Sequence, residues 1–162
     1  MLSAEKGPSA PDALLLLQDG SFFLGKGFGA EKESVGELVF NTAMTGYQEA
    51  VTDPSYAGQI LTFAYPLQGN YGTGREWLES ERPHVRAVVA REVSQHFSHA
   101  SSSKSFSAFL EDYGVPGISG VDTRAVVRKV REKGVIPAVL APVDDAVSVA
   151  ELARSLQKKI SS

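Results

Sequence analysis

The sequence predicts a mixed α/β domain, and three observations carry that prediction. Strand-like runs crowd the first half of the chain, whereas helix-like and strand-like runs alternate in the second. The 162 residues are 43% hydrophobic and 22% charged, the balance of a folded globular chain, and the length suits one domain. Fifteen glycines supply turns and close backbone approaches between short elements.

The elements follow in order. Residues 1–12 (MLSAEKGPSAPD) are small, polar and proline-bearing and read as a flexible tail. Two apolar runs then flank Asp19-Gly20, a pair suited to a tight turn needing φ > 0, which predicts a β-hairpin. Val35 to Thr42 reads as a strand with Leu38 and Phe40 on one face and Glu37 and Val39 on the other. A loop through Met44 to Tyr47 and a turn at Thr52-Asp53-Pro54-Ser55-Tyr56 lead to a buried strand, Gln59 to Ala64, which stops before Pro66. Residues 68–75 form a glycine-rich loop, and Val85 to Val93 another strand.

Beyond the serine-rich residues 98–105, Phe106, Phe109, Leu110 and Tyr113 recur at helical spacing, with Gly114 as a C-terminal cap. Val115 to Gly120 is a short strand. Asp122 is an N-cap for a helix through Lys133 that Gly134 closes. Val126, Val127 and Val130 share one face of it, and Arg124, Arg128 and Arg131 the other. Val135 to Leu140 is a strand whose Pro137 lacks a ladder donor, which predicts an edge or a bulge. Ser148 to Glu151 is a capping box, followed by an apolar stripe of Val149, Leu152, Ala153, Leu156 and Ile160.

Composition also excludes. A net charge of −3 gives no electrostatic reason to expect nucleic acid. The absence of cysteine removes a disulfide framework, a thiolate metal site and a cysteine nucleophile. The longest apolar run, Ala13 to Leu17, is far below the ~20 residues of a membrane helix, and residues 1–12 lack the pattern of a secretory signal. The expectation is a cytoplasmic, non-membrane domain.

Candidate chemistry is sparse. His96 and His99 form an H-x-x-H pair, but in a polar, loop-like segment with no third ligand, so surface histidines are the plainer reading. Gly69, Gly72 and Gly74 lack the spacing of a phosphate loop and read as a turn. The helix 122–133 carries Arg124, Arg128, Lys129, Arg131 and Lys133 against Asp122 and Glu132. A solvated face explains such a stripe, and an acidic protein partner is the sharper alternative.

The block Phe40 to Gly72 (FNTAMTGYQEAVTDPSYAGQILTFAYPLQGNYG) combines hydroxylated residues, aromatics and turn formers that core strands do not need. It resembles the N-terminal domain of the small, glutamine-using subunit of carbamoyl phosphate synthetase. So do the LxDG hairpin near Asp19-Gly20, the GFGA of residues 27–30, VGELVFNT, the run Ser119 to Arg124 and Arg131-Glu132-Lys133-Gly134, in order and at that family's spacing. The resemblance covers about residues 13–158, though Gln68 and Pro137 depart from the usual pattern.

The resemblance implies a three-layer β/β/α domain of the swivelling type, with mixed sheets and about three helices. It divides the chain into a tail (1–12), the small-subunit N-terminal domain (13–143) and a helix leading toward a glutaminase domain (144–162). In such subunits that second domain hydrolyses glutamine through a cysteine thioester with a histidine and a glutamate. Ammonia then passes to a large subunit, which uses bicarbonate and ATP with Mg2+ to make carbamoyl phosphate for pyrimidine and arginine synthesis. The N-terminal domain binds no cofactor and holds no catalytic residue. It packs on the large subunit and the glutaminase domain and lends one serine to the glutamine site. By motif that serine is Ser55, whose hydroxyl can both donate to and accept from an amino acid. A chain without cysteine is expected to be inactive alone. The alternative expectation is a stand-alone truncated module that binds a large subunit or another protein without catalysis.

Overall fold

The structure, a computed structural model, describes residues 11–42, 47–65, 82–93, 106–144 and 148–161. Among the described residues, seven strands run in chain order: β1 Ala13–Leu17, β2 Phe22–Gly29, β3 Ser34–Asn41, β4 Gln59–Phe63, β5 Ala87–Val89, β6 Pro116–Ser119 and β7 Ile136–Pro142. Four α-helices accompany them: α1 Tyr47–Val51, α2 Phe106–Asp112, α3 Thr123–Lys133 and α4 Val149–Ser161. The strands close into a barrel in the order β1-β2-β6-β5-β4-β3-β7. The α/β class therefore holds. The expected stacking of separate sheets is replaced by one closed sheet, because β7 bonds to both β1 and β3 and β2 bonds to β6. The β3/β4, β4/β5 and β5/β6 pairs are parallel and the remaining four antiparallel. Among the described residues, closure leaves no unpaired edge strand.

The core explains the apolar runs. All five β1 residues are buried, on alternating sides of the sheet. Ala13, Leu15 and Leu17 enter the barrel interior with Leu38, Ile60, Val89, Ile118 and Leu140. Leu14 and Leu16 face outward against Leu156 and Ile160 of α4. A strand buried on both faces shows a continuous apolar run instead of alternation. A second outer layer sits under α1 and α2, where Tyr47, Val51, Phe106, Phe109 and Leu110 cover Leu61, Phe63 and Val88. Helix α3 adds Val126 and Val130 to the interior cluster and packs on β3 and β4. Burying each such aliphatic side chain contributes roughly 1.5–3 kcal/mol.

Local expectations hold where the signal is local. Asp122 caps α3 by accepting from Ala125 N–H at 3.2 Å, and Gly134 ends it with φ 79°. Ser148 Oγ accepts from Glu151 N–H at 3.1 Å at the start of α4. The β1–β2 hairpin forms, but only Gly20 in its turn takes a positive φ. Asp19 keeps ordinary backbone angles because its carboxylate accepts from Ser21 instead. Strand β5 is shorter than Val85 to Val93, and α1 occupies a stretch read as the end of a loop. Asp12, at the last position of the expected tail, bonds to Gly25, Gly27 and Val143.

Pro137 corrects the edge prediction, since β7 is paired on both sides. A residue's N and O point to the same side of a strand, and Pro137 O accepts from Gln18 N–H at 2.9 Å. Its missing donor therefore faces the β1–β2 turn, just beyond the last β1 pair at Leu17, and no bond to β3 is lost.

Candidate functional site

Ser55 lies in a single 3-10 turn, Pro54–Tyr56, between α1 and β4. The turn is built by its neighbours. Asp53 Oδ1 accepts from Ser55 N–H at 2.9 Å, and Pro54 supplies a preset φ at the first position. Tyr56 N–H closes back on Asp53 O, and Ala57 N–H on Pro54 O, both at 3.1 Å. Ser55 is exposed. The Ser55 hydroxyl, like its N–H, engages the Asp53 carboxylate, so both the backbone and the side chain of this exposed residue are ordered in advance. The Ser55 N–H and hydroxyl, with a smaller contribution from His84, hold the Asp53 carboxyl below its usual range, so it stays ionised beside the serine.

The fold anchors this turn on both flanks. Tyr56 Oη accepts from Asn41 Nδ2 at 3.2 Å, tying it to the end of β3. Thr52, fully buried, donates its hydroxyl to Glu49 O at 3.1 Å in α1. His84 N–H donates to Val51 O at 2.8 Å, holding the segment before β5 against α1.

A second feature lies at the ends of β3, β4 and β5. Arg124, Arg128 and Arg131 of α3 line an open cleft of about 560 Å³ with Arg91, Thr42, Tyr65 and Thr123. All four arginines are exposed, and the Arg131 guanidinium stacks 5.3 Å from the Phe40 ring centroid. Helical spacing in the sequence revealed three of these arginines. Arg91 and Tyr65 carried no signal, because only strand pairing brings the ends of β4 and β5 to α3. Thr123 is 1% exposed, and among the described residues its hydroxyl has no hydrogen-bond partner.

Among the described residues, no three His, Asp or Glu side chains gather as metal ligands, and no helix is long and apolar enough to cross a membrane. His96, His99 and the glycines at 69, 72 and 74 lie outside the described residues.

Comparison with known proteins shows the family of the chain. The model of the carbamoyl-phosphate synthase small chain, CPSase domain, matches residues 15–140. The carbamoyl phosphate synthase small chain of Listeria monocytogenes is 49% identical over 128 residues, which is 79% of this chain and 35% of that protein. The small chain of Methanocaldococcus jannaschii is 47% identical over 147 residues, 91% of this chain and 39% of that one. The chain thus spans well under half the length of these relatives. Among solved structures, an aminopeptidase from an Aneurinibacillus species gives a TM-score of 0.44 at 18% identity, over 83% of this chain and 31% of that one, too distant a likeness to argue from. On the match from residue 15 to 140, supported by relatives near half identity across most of its length, this chain belongs to the carbamoyl-phosphate synthase small chain family.

Proposed function

We propose that the chain is the N-terminal domain of the small subunit of a glutamine-hydrolysing carbamoyl phosphate synthetase. It docks the large subunit and helps form the glutamine site of an amidotransferase domain, so that the complex makes carbamoyl phosphate for pyrimidine and arginine synthesis in the cytoplasm. The observation that carries the reading is the family match over residues 15–140.

The division of labour follows from side-chain chemistry. Hydrolysis of glutamine through a thioester needs a thiolate, and these 162 residues contain no cysteine. The reacting thiol belongs to the amidotransferase domain, and ATP with Mg2+ belongs to the large subunit. This domain supplies orientation. Ser55, exposed on a turn clamped by Asp53, gives its hydroxyl proton to that carboxylate and keeps its oxygen available to accept from the α-ammonium end of glutamine across a domain boundary.

Co-purification tests the reading. The small chain encoded by this gene, mixed with the large chain of the same organism, is expected to run as one complex and to support ATP- and glutamine-dependent carbamoyl phosphate formation. The 162-residue chain alone is expected to release no ammonia from glutamine. Ammonia release by this chain unaided, or failure of the two chains to associate, overturns the proposal.

A further inference from the structure

Four exposed arginines gather in one cleft of a chain whose net charge is −3. Three stand at i, i+4 and i+7 on α3, and the fourth, Arg91, lies two residues beyond the end of β5. Among the described residues none of the four makes an ion pair, whereas Lys26, Lys129 and Lys159 each reach a carboxylate. Helix α3 already has its own anion, the Asp122 cap, so its N-terminus needs no further one. Among the described residues the arginine row thus lacks a paired carboxylate, and Arg124, Arg128 and Arg91 have no counterpart to the stacking of Arg131 on Phe40.

We infer that this cleft is the seat of an acidic segment of the large subunit, a surface that the docking reading above requires but does not locate. The inference rests on that reading. Three features favour a protein segment over a small anion. Arg124 to Arg131 spans about 10 Å along the helix axis, a row of positions longer than a single phosphate. The ~6 Å rise from Arg124 to Arg128 is close to the ~6.6 Å between alternate side chains of an extended strand, so successive carboxylates on one side of such a strand meet successive arginines. The cleft is also open, with Tyr65 44% exposed on its wall. Arginine and tyrosine are the residue types enriched where protein partners bury their anchors, and guanidinium binds carboxylate in a two-pronged geometry that lysine does not offer.

The test uses the small chain as its gene encodes it and the cognate large chain, with affinity measured at low and at physiological salt. Arg124→Glu combined with Arg128→Glu is expected to weaken the complex at least tenfold and to flatten its salt dependence. Arg128→Gln alone, which keeps helix propensity, guards against misfolding and is expected to weaken binding about threefold with an unchanged thermal midpoint. Wild-type affinity in both variants, with the wild-type complex intact, overturns this inference while leaving the docking reading standing. Absence of the wild-type complex overturns the docking reading itself, and this inference with it. Saturable binding of inorganic pyrophosphate that the double variant abolishes, with large-chain affinity unaltered, makes the cleft a small-anion site and also overturns the inference.

Discussion

Gln157 Nε2 donates to the backbone carbonyl of Gln18 at 2.9 Å, taking the acceptor that Pro137 leaves without a ladder donor. An antiparallel pair ordinarily exchanges two bonds, and here the strand supplies one and the α4 side chain the other. The same bond adds a polar tie between α4 and the β1–β2 turn, beside the apolar contact of Leu156 and Ile160 with Leu14 and Leu16. Gln157→Ala is therefore expected to cost about 0.5–1 kcal/mol, the lower part of the range for a net hydrogen bond because the site is exposed. In a Pro137→Ala background the restored N–H competes for Gln18 O, and the cost of Gln157→Ala is expected to fall toward zero. Urea unfolding of the four proteins of this cycle measures the coupling, and equal costs in both backgrounds would refute it.

Closure of the barrel makes a separate prediction at Gly25. A Cβ added there would lie 2.2 Å from the backbone carbonyl oxygen of Ser119, where β2 meets β6. Backbone on both sides cannot yield as a side chain can. Gly25→Ala is expected to destabilise by about 3 kcal/mol, the upper end of overpacking costs. Gly117→Ala meets the Phe28 ring at 2.6 Å, a side chain that borders a pocket beside Gly117 and can shift more readily than backbone, and is expected to cost less. Thermal melts of the two variants give the ranking, and a milder Gly25→Ala would contradict it.

The hairpin, the α3 caps and the α4 capping box were legible because each depends on residues within a few positions of one another. The alternation of Leu38 and Phe40 against Val39 in β3 was legible for the same reason. Barrel closure was not. Lys26 pairs with Ser119 and Leu14 with Ala141, and nothing local to either residue records its partner. Pro137 misled because its missing N–H suggests an edge, whereas the direction in which that donor points decides the matter. The Asp53 turn was visible in its residue types, but Ser55 acquired a role only through the family resemblance. Three of the cleft arginines followed from helical spacing, and Arg91 required the β4–β5 pairing.

Asp19 provides a pH signature. Hydrogen bonds from Ser21 first, then the Lys129 ammonium at 3.0 Å, lower its pKa from 3.8 to about 2, against an opposing effect of burial. A depressed folded-state pKa means that the native state holds the carboxylate and the unfolded chain takes up the proton first. Its contribution is therefore full above pH 4 and disappears as pH falls from about 4 through 2. Partial exposure and solvent screening limit it to about 1 kcal/mol. Asp19→Asn is expected to lower stability at pH 7 by about that amount and to leave stability at pH 2 nearly unchanged. Denaturant titrations at the two pH values measure the difference, and an equal loss at both would show that Asp19 acts through geometry rather than charge.

Ser55→Ala, made in the small chain as encoded, isolates the hydroxyl from the turn. Asp53 accepts from the Ser55 backbone N–H, which alanine keeps, and Pro54 still presets the backbone. The turn should persist, with the thermal midpoint lowered only slightly by loss of the exposed bond from the hydroxyl to Asp53. If the hydroxyl bonds a charged end of glutamine, its loss removes about 1.5 kcal/mol of binding, which is roughly tenfold in affinity. The expected result is a KM for glutamine raised about tenfold, with kcat at saturating glutamine little altered, since the thiol chemistry takes place elsewhere. Ser55→Thr retains a hydroxyl on the same turn and should recover part of the affinity. Ammonia-dependent carbamoyl phosphate formation bypasses glutamine altogether and is expected to stay at the wild-type rate. A correctly folded Ser55→Ala with wild-type KM for glutamine removes Ser55 from the site, and a loss of the ammonia-dependent rate shifts the defect to the contact with the large chain.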